Sequence, residues 1–181
     1  MKELAFVVGV AAVTVLVLGY LQKKRKNIIL LNVLSRTLYI LQYVLLFAFE
    51  GAVQEIAGII AAFLAQRKDT PAIKKRVKLF FAGSCVLIIA MGLLTYKNFI
   101  SLFPIMGVLL QTGALWLSDE KWIRRISLLG VPFWFVYNVS SGSFGGCAGD
   151  VMSVVSIVAA MIKYDTKKNK LDNGVKANLD P

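Results

Sequence analysis

The sequence predicts an all-α integral membrane protein: seven transmembrane helices arranged as two parallel three-helix bundles joined by a linker helix, a 3+1+3 plan. Three observations predict it. Of the 181 residues 57% are apolar, at a mean hydropathy of +0.69, which is more apolar surface than a soluble domain this small can hide but which lipid accepts. Eighteen of the 21 Lys and Arg residues fall in four clusters, at 23–26, 67–78, 121–125 and 163–176, and apolar stretches between clusters must come in pairs if all four are to stay on one side. Sliding the chain by about 96 residues lays the last three apolar runs over the first three.

Taken in order, the apolar runs are 4–21, 28–49, 52–66, 79–96, 99–117, 125–139 and 144–162. The first has one Lys before it and four basic residues after it, the reverse of signal-peptide polarity, so it reads as a retained span with its N-terminus outside. All seven are expected to be helices, because a lipid-exposed backbone must satisfy its own hydrogen bonds. The third and sixth fall short of the roughly 20 residues that a 30 Å core asks for, and are expected to lean on snorkelling Arg67, Lys68, Arg124 and Arg125. Residues 165–181 mix Lys, Asn, Asp and Gly without an apolar face and read as a mobile cytoplasmic tail. The expected units are a first repeat at 1–69, a linker helix with its cytoplasmic loop at 70–97, a second repeat at 98–164, and the tail.

The repeat is chemical more than literal. Gln42 falls on Asn138 and, after a one-residue gap, Glu55 on Asp150 and Lys68 on Lys163. Two three-span units joined directly would point opposite ways; the lone fourth span removes the inversion and leaves them related by an axis along the membrane normal.

Charge and composition also exclude classes of function. The net charge of +11 sits in loops and a tail, where anionic lipid headgroups rather than nucleic acid are the partner. There is no His, and Cys85 and Cys147 each lie inside an apolar run, which leaves no metal site, no cofactor site and no nucleophile with its base; no catalytic residue is assigned. The Gly- and Ser-rich run 140–146 lacks the Lys-Ser ending of a phosphate loop and reads as a turn or gate.

The candidate site residues are polar groups inside spans. Arg36 lies near the middle of its span, where a charge costs at least about 2.5 kcal/mol, so it is expected to face protein or water. It could lock a bundle by pairing with an acid, or bind an anionic solute or a coupling carboxylate. Glu55 and Asp150, the two carboxylates placed inside spans, suit a proton-coupled step if they share a confined cavity, or else each hydrogen-bonds a neighbouring helix and never moves. The Gly51, Gly58 and Ala62 face around Glu55, and the Gly146 and Ser153 face around Asp150, read first as close-packing surfaces. Gln42 and Asn138 could bond a solute from both halves or clamp helices; Tyr39, Trp134 and Tyr137 could wall a pocket, while Tyr20, Tyr96, Trp116 and Trp122 read as interface anchors.

The stretch from Leu102 to Gly146, with Leu-Phe-Pro-Ile-Met-Gly at 102–107, Thr-Gly-Ala-Leu at 112–115, Arg125, Trp-Phe-Val-Tyr-Asn at 134–138 and Gly-Ser-Phe-Gly-Gly at 142–146, resembles the YgjV-type bacterial inner membrane proteins. More widely, the 3+1+3 plan resembles the SWEET and PQ-loop superfamily. That resemblance implies proline hinges in the first two spans of each bundle; Pro104 and Pro132 comply, whereas Val8 and Arg36 stand in their places in the first bundle, and no Pro-Gln dipeptide is present. It also implies a midplane Trp and Asn, for which Trp134 is a match and Asn138 a looser one.

The expected function is a small-solute transporter or facilitator of the bacterial inner membrane, working by alternating access. Arg36, Glu55 and Asp150 would set charge preference or proton coupling, and Gln42, Tyr39, Trp134 and Asn138 would contact the solute. The alternative is a non-transporting scaffold or sensor. The expected partners are the bilayer, a small polar or anionic solute, and a second copy of the chain.

Overall fold

The computed structural model describes residues 1–165, and the expected tail, beyond its first residue Asp165, lies outside them. Eight α-helices are described: α1 (Lys2–Tyr20), α2 (Arg25–Leu45), α3 (Phe49–Gln66), the single-turn α4 (Pro71–Lys74), α5 (Val77–Leu94), α6 (Leu102–Ala114), α7 (Glu120–Ser140) and α8 (Phe144–Ala160). A 3-10 turn, Phe99–Ser101, leads into α6, and a π-helical turn, Met161–Asp165, follows α8. No strand occurs among the described residues.

Local chemistry sets several boundaries. Asp119 caps α7 by accepting from the Lys121 amide, which extends this helix five residues upstream of the apolar run. Asn98 and Ser101 form a reciprocal capping box on the 3-10 turn, splitting the fifth run into two pieces. Pro71 opens α4 where its missing N–H costs nothing. The turn between α7 and α8 uses Gly142 at φ 67°, a conformation that side chains resist.

Length and composition qualify four helical stretches to cross a bilayer: Lys2–Tyr20, Arg25–Leu45, Val77–Leu94 and Phe144–Tyr164. The other long helices carry the polar load: α3 holds Glu50, Gln54 and Glu55, and α7 opens with Glu120, Lys121, Arg124 and Arg125. Exposure runs opposite to that of a water-soluble protein. Asn32, Arg36, Gln42, Gln54, Glu55 and Asp150 are buried, whereas Val86, Leu93, Leu30 and Val155 are exposed. Apolar side chains outward and ionisable groups inward is the arrangement that a lipid solvent imposes.

Helix contacts close a ring. α1 packs on α2, α2 on α3, α3 on α6, α6 on α7, α7 on α8 and α8 on α1, with α5 outside the ring against α3 and α6. Bonds from Arg25 to Ala65, Leu115 and Leu117, and from Tyr164 to Leu21, gather at one end the helix termini that carry the described basic clusters. We call this the basic end. An apolar cluster that includes Ile29, Ala62, Leu115 and Ile123 fills it, and a larger one around Tyr39, Tyr43, Trp134 and Val108 fills the middle.

The basic end departs from expectation in one respect. Lys68 and Arg124 do not snorkel; both are buried, because helix-end carbonyls and neighbouring rings rather than water receive their charge. Arg67 and Arg125 do lie outward, over the rings of Phe63 and Trp122. Tyr20 and Trp116 are buried as well, so of the four expected anchors only Tyr96 and Trp122 are exposed.

Candidate functional site

The polar groups of the ring meet at a central cavity of about 20 Å³, room for about one water. From α2 and α3 come Arg36, Tyr39, Tyr43 and Glu55; from α6, α7 and α8 come Gln111, Trp134, Asn138 and Asp150. All three charges singled out in the sequence therefore line one space.

All three guanidinium nitrogens of Arg36 are engaged there. Its Nη1 donates to Glu55 Oε2 at 2.6 Å, its Nε to Asn32 Oδ1 at 2.8 Å, and its Nη2 to Thr112 Oγ1 at 3.1 Å. Asn32 sits one turn before Arg36 on the same helix and presets the guanidinium, while Thr112 ties it to α6. Glycine at 58 makes the arrangement possible, since a Cβ there would stand 2.4 Å from Arg36 Nη1. The charge is thus neutralised by one acid, and each of the three guanidinium nitrogens donates one hydrogen bond, which offsets much of the cost of burying it.

Asp150 is held differently. Its Oδ2 accepts from Asn138 Nδ2 at 2.8 Å, and among the described residues no cation forms an ion pair with it, although it is only 7% exposed. Asn138 in turn accepts at Oδ1 from the Tyr43 hydroxyl at 2.9 Å, which links α2 to α7 across the ring. With both acids ionised the cavity would carry one positive and two negative charges, and the uncompensated one belongs to Asp150.

Aromatic rings wall the cavity toward the end opposite the basic one. Tyr39 stacks on Tyr43 and Tyr43 on Trp134, each at a centroid distance of 6.0 Å, and Tyr137 stands edge-on to Tyr43 at 5.8 Å. The Tyr137 hydroxyl accepts from the Gly51 amide at 2.8 Å and fastens α7 to α3. Trp134 Nε1 is buried without a hydrogen-bond partner among the described residues. Beyond the rings lie two clefts: one of about 320 Å³ beside Glu50, Asn98 and Tyr137, the other of about 240 Å³ beside Lys2, Gln42 and Ser143.

Of the residues expected to contact a solute, Tyr39, Trp134 and Asn138 line the central cavity and Gln42 does not. Gln42 donates to Ser143 Oγ at 3.0 Å and floors the smaller cleft, with its amide against Gly9 and Gly145. Asn32, Ser35, Tyr43, Gln111 and Thr112 were not anticipated. Asn32 and the Gln111-Thr112 pair did carry a signal, being amides and a hydroxyl within apolar runs, whereas Tyr43 looks like any lipid-facing aromatic.

The YgjV-like pattern of α6 to α8 extends over nearly the whole chain: residues 3–168 match the Imp-YgjV family, described as bacterial inner membrane proteins. The chain belongs to the Imp-YgjV family. No curated protein and no solved structure matches it. This Imp-YgjV protein is therefore a bacterial inner membrane protein, and the lipid bilayer is the solvent that its exposed Val, Leu and Phe side chains meet.

Proposed function

We propose that this Imp-YgjV protein is a small-solute transporter or facilitator working by alternating access. In this reading α1 to α3 and α6 to α8 are two like-oriented three-helix units related by an internal repeat, as in SWEET-type proteins, with α5 as the linker and the basic end in the cytoplasm. The units rock about the central cavity, opening it at one end and then the other. No enzymatic step is assigned to any residue.

One observation carries the reading. A carboxyl group, Asp150, lies buried on a cavity shared by both units with an amide and no cation to hold it, beside an Arg36 that is already satisfied by Glu55. A charge left without a counter-ion in a membrane interior is expensive, and a proton removes it. Asp150 is therefore the proton carrier and Glu55 the fixed counter-charge of Arg36. Because Glu55 already neutralises the charge of Arg36, an anionic solute would enter the cavity without a counter-ion, so the solute is polar and uncharged rather than anionic. Its contacts are Trp134 Nε1, which lacks a partner, the Tyr39 hydroxyl, and Asn138.

Uptake into proteoliposomes tests this with a panel of small polar solutes, with and without a pH gradient. Asp150→Asn is expected to abolish gradient-driven accumulation while leaving exchange at equal pH. Accumulation unchanged by Asp150→Asn would remove the carboxyl from the mechanism.

A second reading is a non-transporting scaffold or sensor, and the cavity favours it by holding about one water and no more. It requires that no solute moves under any gradient and that the purified chain retains a protein partner.

A further inference from the structure

The shortest hydrogen bonds between the two halves of the ring lie outside the cavity. Arg25, the first residue of α2, reaches away from its own helix: Nη2 donates to Ala65 O at 2.7 Å and to Leu115 O at 2.6 Å, and Nε donates to Leu117 O at 3.2 Å. Lys68, just past α3, donates from Nζ to Trp116 O at 2.8 Å and to Ser118 Oγ at 2.7 Å. The acceptors are Ala65 O near the end of α3, the carbonyls of Leu115, Trp116 and Leu117 just past α6, and the Ser118 hydroxyl, at helix ends where carbonyls lack the regular helical donor.

Electrostatics gives the arrangement a direction. A cation at the N-terminus of α2 opposes the dipole of that helix, whereas the C-termini of α3 and α6 present negative ends. Arg25 therefore gains by spanning the seam, and the same two negative ends, packed side by side, repel each other without it. Lys68 adds a second clasp from the end of α3 to the segment that follows α6, through Trp116 O and Ser118 Oγ. The other seam at this end, α8 against α1, carries the longer Tyr164 to Leu21 bond of 3.3 Å.

We propose that Arg25 and Lys68 form a two-cation latch that holds the basic end of the central cavity shut by clasping the C-termini of α3 and α6 together. The latch rests on the transport reading given above, in which that end faces the cytoplasm and must open once per cycle. Opening exchanges the carbonyls for water on both sides. The apolar cluster beneath, with Leu115 and Ile123, then loses its cover and admits a path to the cavity.

The test reads access rather than flux, so it fails separately from the uptake assay. In the full chain with Cys85→Ser and Cys147→Ser, Ser35→Cys places one thiol on the cavity wall. A membrane-impermeant maleimide is added to inverted inner-membrane vesicles, which expose the cytoplasmic face. Arg25→Gln with Lys68→Gln is expected to raise the labelling rate about tenfold over the same chain with both cations intact. An unchanged rate in a variant that still elutes as a folded monodisperse species overturns the latch. Should the double variant not fold, Arg25→Lys carries the test, because an ammonium has no planar fork with which to reach carbonyls on two helices at once. A rise of about threefold supports the latch, and a rate equal to that of the parent overturns it.

Discussion

Arg36 and Glu55 form a salt bridge of 2.6 Å with both side chains more than nine-tenths buried, while Asp150, on the same cavity, is held by the amide of Asn138 and, among the described residues, by no cation. One acid thus answers a fixed charge and the other answers none. The difference between them gives the first prediction its direction.

Glu55→Gln leaves a guanidinium buried without its counter-ion and is expected to cost about 3–5 kcal/mol. Asp150→Asn replaces a carboxyl that has no counter-ion among the described residues with a neutral amide and is expected to be neutral or stabilising. Unfolding in mild detergent, followed by helical ellipticity against denaturant, compares the two variants; equal losses would contradict the assignment of Arg36 to Glu55.

Gly58→Ala is expected to lower the melting temperature, because the new methyl would stand 2.4 Å from Arg36 Nη1 and must displace the guanidinium from a three-bonded position. Overpacking of this kind costs about 1–3 kcal/mol. Gly83→Ala meets open space inside α5 and is expected not to lower melting, which makes it the control.

Tyr43→Phe deletes the hydroxyl that donates to Asn138 and keeps the ring between Tyr39 and Trp134. A loss of about 1 kcal/mol is expected from the bond itself. Because Asn138 also holds Asp150, gradient-driven uptake should fall by more than that stability change accounts for, and uptake normalised to folded protein measures the excess.

Sidedness is checked by thiol labelling in a chain lacking both native cysteines. Lys75→Cys is expected to react with impermeant maleimide only in inverted vesicles, and Lys97→Cys only in right-side-out ones. Lys97, which pairs with Glu50 at 3.0 Å near the end of α3 remote from Lys68, marks the opposite end.

Lys68 supplies a pH dependence. Burial, and then the neighbouring Arg25, hold its ammonium below the ordinary lysine value, partly offset by Asp69. The unfolded chain therefore binds this proton at a pH where the folded chain has begun to release it. Stability contributed by the site rises with pH between the lowered value and about 10.4, the unfolded one. Lys68→Met should flatten that alkaline rise in a denaturant titration.

Much of the chain was legible because lipid demands long apolar runs and punishes charge. Each of the seven runs contains most of a helix, and Arg36, Glu55 and Asp150 stood out as charges that nothing but a protein interior or water could keep. Boundaries were less legible where a polar residue extends a helix past its apolar part, as Asp119 does for α7. The roles of cations at helix ends were not legible at all. Lys68 reads as a snorkelling residue because its charge lies next to a span end, and only the nearness of α6, remote in sequence, gives it carbonyls to bond instead of water. The placement of Gln42 was not legible for a related reason: its pairing with Asn138 in the repeat says nothing of Ser143, which captures its amide and directs it to a cleft beyond the rings.

The ring closes across the α3 and α6 seam without a covalent link between those two helices' adjoining ends. Nothing in its six contacts needs the backbone to run unbroken from Gln66 to Leu102, and α5, burying Ser84, Ile88 and Gly92, leans on the outside of the circle. The molecule is therefore divisible. Two polypeptides covering 1–76 and 77–181, made together in one cell, carry between them every clasp across the α3 and α6 seam, and they should find each other in the plane of the bilayer and co-purify as a pair.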